Sequence, residues 1–212
     1  MLAKTDGSVL DQSAIDASMM ERCIRHSATA VRCGELPFAA LICDGGEVVV
    51  ETTNQVAQFG DVTRHAELVA ISQAQKVLGR KNLSGCTLYS NVEPCPMCSF
   101  PIRETRISRV VFAIGSPMMG GLSRWNVLRD RQLSQVMPEV FGPVPEVIAG
   151  LARHEAEMVW RGWNPMIWAV IKYRGCFGHD KVPADVRYLD AIPERAGLLR
   201  RLFVRRSKHR PG

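Results

Sequence analysis

The apolar residues of this chain switch repeatedly between helical and strand-like spacing, and this alternation constrains its fold more than any other feature. From Ile15 to Val31, residues Ile15, Met19, Met20, Cys23, Ile24 and Ala28 recur at three- and four-residue intervals, the stripe of an amphipathic helix, before Gly34 breaks it. Phe38 to Cys43 and Glu47 to Thr52 flank Asp44-Gly45-Gly46, the signature of two strands joined by a tight turn. Helical spacing returns from Thr63 to Leu78 with Gly79 as its stop, which places His65 and Glu67 in the first turn of a helix. Cys86 to Ser90 reads as a strand, Pro96 to Arg103 as a short helix and Arg109 to Ile114 as a strand. A Gly-rich loop, Gly115 to Gly121, then leads toward a helix from Trp125 to Leu133. Glu139-Val140-Phe141 is a strand candidate, and Glu146 to Trp160 again has helical spacing. Strand, helix, strand, helix, strand is the order of an α/β layered domain around a central sheet.

Two short motifs stand at helix starts: His65-Ala66-Glu67 and Pro94-Cys95-Pro96-Met97-Cys98. Either half alone is weak, because His-x-Glu arises by chance and Cys-x-x-Cys also occurs in redox centres and as half of a structural zinc site. A four-cysteine site needs a second well-spaced pair, which Cys86 and Cys176 do not offer. One imidazole and two thiolates instead leave a tetrahedral zinc one open position for water, whose pKa falls from about 15.7 toward about 7. Glu67, two residues from His65, can reach such a water without binding the metal, as a proton shuttle must. The competing role for Glu67 is a carboxylate that pairs with the helix dipole. Pro96 suits the first helical position, where no backbone donor is needed.

Composition narrows the class. The 212 residues are 46% hydrophobic, enough for one well-buried core, and no stretch reaches the run of about 20 apolar residues that spans a bilayer. Met1 to Asp6 lacks an apolar signal core, so the expected location is cytoplasmic, and seven scattered cysteines fit a reduced compartment better than a disulfide framework. Much of the net charge of +6 sits between Arg200 and Arg210. Such a run is ordinarily a solvated tail, and it is also a candidate nucleic-acid contact.

The stretch from Ile15 to Trp163 resembles the cytidine/deoxycytidylate deaminase superfamily, in the branch of tRNA adenosine, guanine and fungal-type cytosine deaminases. The resemblance is carried by Pro37 to Leu41, Asn54, Thr63-Arg64-His65-Ala66-Glu67, Leu88 to Cys98 and Ile107 to Phe112. It implies a three-layer α/β/α fold with a central five-stranded mixed sheet, and a homodimer or larger assembly. It implies Zn2+ held by His65, Cys95 and Cys98, proton transfer by Glu67, and substrate contact by Asn54 and Ala66. Trp125 is a further candidate, able to stack on a base, with core packing as its alternative. Pro101 and the loop Met118-Met119-Gly120-Gly121 depart from the family pattern.

The domain is expected to span 1–163, with a C-terminal extension and basic tail over 164–212. In the extension, Trp163, Met166, Ile167 and Trp168 suggest packing on the core or on a partner subunit, and the segment is a candidate lid. The implied reaction replaces an exocyclic amino group by a carbonyl with release of ammonia. The departing loop favours a small base or nucleoside as substrate. The alternative is adenosine in tRNA, and a non-catalytic zinc-stabilised binding module is the rival from another class.

Overall fold

Gly45 and Gly46 take φ values of 58° and 87°, the left-handed backbone that a tight hairpin turn requires. They join β1 (Ala39–Asp44) to β2 (Glu47–Thr53) in an antiparallel pair. This computed structural model describes residues 7–178, 182–183 and 185–188; the N-terminal segment 1–6 and the basic cluster 200–210 lie outside the described residues. β1 also pairs antiparallel with β3 (Cys86–Val92), and β3, β4 (Arg109–Ile114) and β5 (Glu146–Ala149) run parallel. The expected mixed sheet of five strands is present in the order β2-β1-β3-β4-β5, and a two-residue strand, β6 (Arg187–Tyr188), extends it beyond β5.

Alternation along the strands divides the core in two, as period-two geometry demands. Ala40, Ile42, Leu88, Val110 and Phe112 face one side, with Ala70, Ile71 and Ala74 of α3 (Ala66–Leu78) and Ile102 of α4 (Pro96–Glu104). Ala39, Leu41, Tyr89, Val111 and Ala113 face the other, with Met20, Cys23 and Ile24 of α1 (Gly7–Arg32) and Ala156 and Trp160 of α6 (Arg153–Trp163). These are the three layers. A one-turn helix, α2 (Val56–Phe59), lies between β2 and α3. No described helix is long and apolar enough to cross a membrane.

Three expectations are corrected. Glu146 to Trp160 is not one helix: Glu146–Ala149 is β5, and Gly150 (φ 83°) and Ala152 (φ 55°) turn the chain into α6. Val147 and Ala149 enter one core and Ile148 the other, so the strand is apolar on both faces and its pattern matches a buried helix equally well. Glu139-Val140-Phe141 is a turn, because the edge of β4 is already occupied by β5; Phe141 packs against Phe100 instead.

Trp125 to Leu133 is a 3-10 turn (Val127–Arg129) followed by α5 (Arg131–Val136). Asn126 (φ 52°) interrupts the first, and Asp130 caps the second by accepting from Gln132 N and Leu133 N. The segment is held from beneath by buried Arg103, whose guanidinium donates to the carbonyls of Val127 and Asp130 and to Ser134 Oγ. Pro101 does not break α4, which runs on through Glu104.

After α6, Pro165–Tyr173 forms α7, started by Asn164 as N-cap. Trp168 and Phe177 join Trp160 and Phe38 in an aromatic cluster with centroid separations from 4.8 to 6.5 Å. Of the apolar residues expected to dock there, Trp168 is buried, whereas Met166 and Ile167 are exposed.

One polar cluster ties the α1 layer to the sheet. Asp16, 3% exposed, accepts from Tyr89 Oη (2.7 Å) and from both terminal nitrogens of Arg109 (3.0 and 2.9 Å), and Arg109 Nε also donates to Glu146 (2.7 Å). Burial pushes the Asp16 carboxyl up, but the hydrogen bonds from Arg109, Tyr89 and Gln12 outweigh it and hold it below its ordinary value. A carboxyl depressed in this way stabilises the fold above its unfolded pKa, near 3.9, and the contribution is lost as pH falls through the lower folded value. Asp16→Asn should therefore lower unfolding stability by about 1.5–3 kcal/mol at neutral pH. In urea melts across pH, the gap to the parent protein should close below about pH 4.

Candidate metal centre

Two helix starts whose cap side chains do not cap build this centre. His65 is the N-cap of α3 and Cys95 that of α4, both with extended backbone (φ −65°, ψ 146° and φ −70°, ψ 170°), and neither side chain bonds to its own helix. His65 thus stands one residue outside the first turn in which it was expected, while Glu67 lies within it. Cys98 is in the first turn of α4, where a helical Cβ leans toward the N-terminus and so toward Cys95. The backbone seals the turn, with Cys98 N donating to Cys95 O at 3.1 Å.

His65 Nδ1 lies 3.5 Å from Cys95 Sγ and 3.5 Å from Cys98 Sγ, and the two sulfurs are 3.6 Å apart. A tetrahedral zinc with bonds of about 2.3 Å to sulfur and about 2.0 Å to nitrogen requires edges near 3.8 Å between sulfurs and near 3.5 Å from nitrogen to sulfur. The triangle fits that ion, and three ligands leave its fourth position for water or substrate. Among the described residues this is the group of three His, Cys, Asp or Glu side chains whose ligand atoms converge to within 4.8 Å.

Charge is distributed to match. The Cys95 thiol is pulled down to about 4, first by the hydrogen bond from Cys98 and then by that of His65, against burial. Cys98 is raised because it is the donor of that bond and is buried; His65 is raised by its bond to Cys95. Cys95 is thus the standing thiolate of the trio.

Glu67 is 6% exposed, with Oε1 3.3 Å from Ser90 Oγ and Oε2 3.6 Å from Cys98 Sγ, and burial raises its carboxyl. Ala66 is buried at the first helical position, and its carbonyl accepts from Thr52 Oγ1 (2.7 Å), which ties the start of α3 to β2. Asn54 is buried at the end of β2, and its Nδ2 donates to Glu35 Oε2 (2.8 Å). The neighbouring backbone bond from Gln55 N to Arg64 O holds this strand end beside the approach to His65. Trp125 is 58% exposed in a loop, with the Arg124 guanidinium 5.4 Å from its ring centroid.

Sequence reasoning missed two buried carboxylates that organise the surroundings. Glu35 orients Asn54 and also accepts from Gln58 N (2.7 Å); it sits in a short connection with no periodicity to mark it. Glu93 accepts from Ser116 N, Leu122 N, Ser123 N and Ser123 Oγ at 2.7 to 2.9 Å, two bonds on each oxygen. It shapes the 116–123 loop one residue before Pro94, whose carbonyl accepts from Gly121 N (2.8 Å). The signal for Glu93 was its place between a strand and the cysteine motif.

Residues 13–114 match the family model described as the cytidine and deoxycytidylate deaminase zinc-binding region. The chain is 36% identical over 124 residues to the tRNA-specific adenosine deaminase of Aquifex aeolicus, spanning 58% of this chain and 82% of that protein. It is 32% identical over 152 residues to a probable cytosine deaminase of Schizosaccharomyces pombe, spanning 72% and 87%. A solved structure from studies of A-to-I editing by tRNA:A34 deaminases superposes with a TM-score of 0.59 at 29% identity, covering 66% of this chain and 96% of that one.

Two outcomes test the centre. Cys98→Ser should reduce bound zinc to well below one equivalent by metal analysis, since a hydroxyl is a poor substitute for thiolate in this donor set. A methyl at Gly121 would overlap Ser99 and the Pro94 carbonyl, so Gly121→Ala should cost about 1–3 kcal/mol in unfolding experiments through overpacking. With its donor triangle, its fold and its relatives in agreement, the chain belongs to the cytidine and deoxycytidylate deaminase family of zinc enzymes.

Proposed function

We propose that the chain is a hydrolytic deaminase that converts adenosine to inosine in tRNA, with His65, Cys95 and Cys98 as zinc ligands and Glu67 as proton carrier. The observation that carries the reaction is the buried Glu67 carboxyl beside the donor triangle, 3.6 Å from Cys98 Sγ. Zinc, when bound, supplies a Lewis acid that makes water nucleophilic near neutral pH. Glu67 takes the proton of the attacking water, delivers it to a ring nitrogen, and then protonates the departing amine. Burial suits it to this, since a raised carboxyl can hold the proton between the two transfers. Ser90 Oγ, bonded to the other carboxyl oxygen, keeps it oriented. Glu35 fixes the Asn54 amide, which serves as a contact for the base or its sugar.

The polynucleotide substrate is supported by the match along most of a tRNA-specific adenosine deaminase and by the rim of the site. Phe59, 54% exposed, carries the Arg64 guanidinium 4.8 Å from its ring centroid, just before His65. Trp125 and Arg124 form a second such pair on the loop bonded to Pro94. Exposed aromatic rings beside cations suit unpaired bases and their phosphates. The comparisons favour this reading over the small base or nucleoside that the loop departure suggested. The similarity to a probable cytosine deaminase over 72% of the chain keeps a free base as the second reading.

In the zinc-loaded protein, Glu67→Gln should retain metal and lower ammonia release by about 10²–10⁴-fold. Offered tRNA, adenosine, adenine, cytosine and guanine, the parent protein should release ammonia from tRNA and leave inosine in it. Turnover confined to a free base or nucleoside overturns the substrate assignment, and unchanged turnover by Glu67→Gln overturns the mechanism.

A further inference from the structure

Next to the loop that Glu93 shapes lies a cleft of about 500 Å³, lined among others by Ser123, Arg124, Asn126, Arg129, Arg131 and Asp185. It does not include the metal centre but is fastened to it. Ser123 donates through both N and Oγ to Glu93 (2.7 Å each), and Glu93-Pro94 leads directly into Cys95. Within the cleft Arg129 forms a two-pronged pair with Asp185, Nη1 to Oδ1 at 2.8 Å and Nη2 to Oδ2 at 2.6 Å. That is the geometry a guanidinium also offers to a phosphate. The Asp185 side chain is 68% exposed, and a solvent-exposed pair of this kind is weak enough for another anion to replace.

Three arginines against one aspartate leave the lining with a surplus of two positive charges. Arg131 is exposed, and Arg124 lies against Trp125, so a ring able to stack on a base stands beside the cations. A surplus of guanidinium with an exposed indole at its edge suits a phosphodiester with its base better than a small organic acid.

We propose that this cleft is a phosphate subsite, which holds a backbone phosphate of a polynucleotide while one of its bases occupies the metal centre, Asp185 giving way to the incoming anion. The proposal rests on the RNA reading above and adds to it the surface that holds the strand.

The test uses the zinc-loaded full chain carrying Glu67→Gln, so that nothing is consumed, and a labelled RNA hairpin with an adenosine in its loop, read by fluorescence anisotropy at several salt concentrations. Adding Arg124→Ala and Arg131→Ala should raise Kd about tenfold or more and reduce the salt slope by about two, one per lost phosphate contact. A charge-matched control, Arg25→Ala with Lys76→Ala, should change neither by as much. Asp185→Asn should tighten binding, a gain that a damaged fold cannot produce.

Unchanged affinity and slope in the arginine variant, an equal loss in the control, or weaker binding by Asp185→Asn overturns the subsite and leaves the RNA reading standing. Arginine-dependent binding of adenosine monophosphate without binding of the hairpin assigns the phosphate to a free nucleotide and overturns the proposal. Arginine-dependent hairpin binding, in a protein that releases ammonia only from free bases, upholds the subsite and overturns the RNA deaminase reading.

Discussion

The metal centre depends on a directional property of the sheet. β1 runs antiparallel to both of its neighbours, so β2 and β3 point the same way with β1 between them. α3 follows β2 and α4 follows β3, and both helices therefore begin at the same margin of the sheet, beyond the ends of parallel strands where open α/β sheets place their ligands. Strands two places apart in a sheet are separated by about 9.5 Å, close to the 8–10 Å between packed helix axes. The intervening strand thus sets the spacing at which two helices lie side by side with both starts facing one point. His65 and Cys95 are the residues at that point, and their caps are left to a metal.

Short polar ties convert that arrangement into a definite shape. Thr52 holds the first helical carbonyl of α3 to β2, Ser90 on β3 meets Glu67, and Glu93 gathers the loop that follows β4. Each tie joins a strand end to a segment bordering the cluster, so the positions of the four chemical residues are inherited from the sheet. Arg103 does comparable work for the segment after that loop, bonding carbonyls that an uninterrupted helix would have used internally. The break between the 3-10 turn and α5 follows from that competition.

What could be read from the amino-acid order was whatever has a local cause. Amphipathic spacing located α1 and α3, the Asp44-Gly45-Gly46 turn located the hairpin, and the two motifs identified the ligand set. The failures arise where tertiary neighbours decide. β5 is enclosed on both faces, and enclosure erases the alternation that marks a strand. Glu139-Val140-Phe141 has strand-forming residues but finds no free edge. Glu35 and Glu93 act through contacts with distant backbone, and nothing in their immediate sequence separates a buried organising carboxylate from a solvated one. Asn54 was noticed through resemblance, but the partner that orients it, nineteen residues earlier, was not.

The four bonds on Glu93 also determine how this loop can vary. Its backbone is moulded around a carboxylate, and neither Gly120 nor Gly121 has room for a side chain, the first against Glu93 and the second against Ser99. Met118 and Met119, at the crest of the same loop, are about half exposed. Substitution is thus sharply partitioned within four consecutive residues: the inner pair is locked to the catalytic framework, and the outer pair is open to drift. A surface that borders the reacting centre can be rewritten at its crest without disturbing the chemistry beneath, a route by which one deaminase scaffold can acquire new substrates.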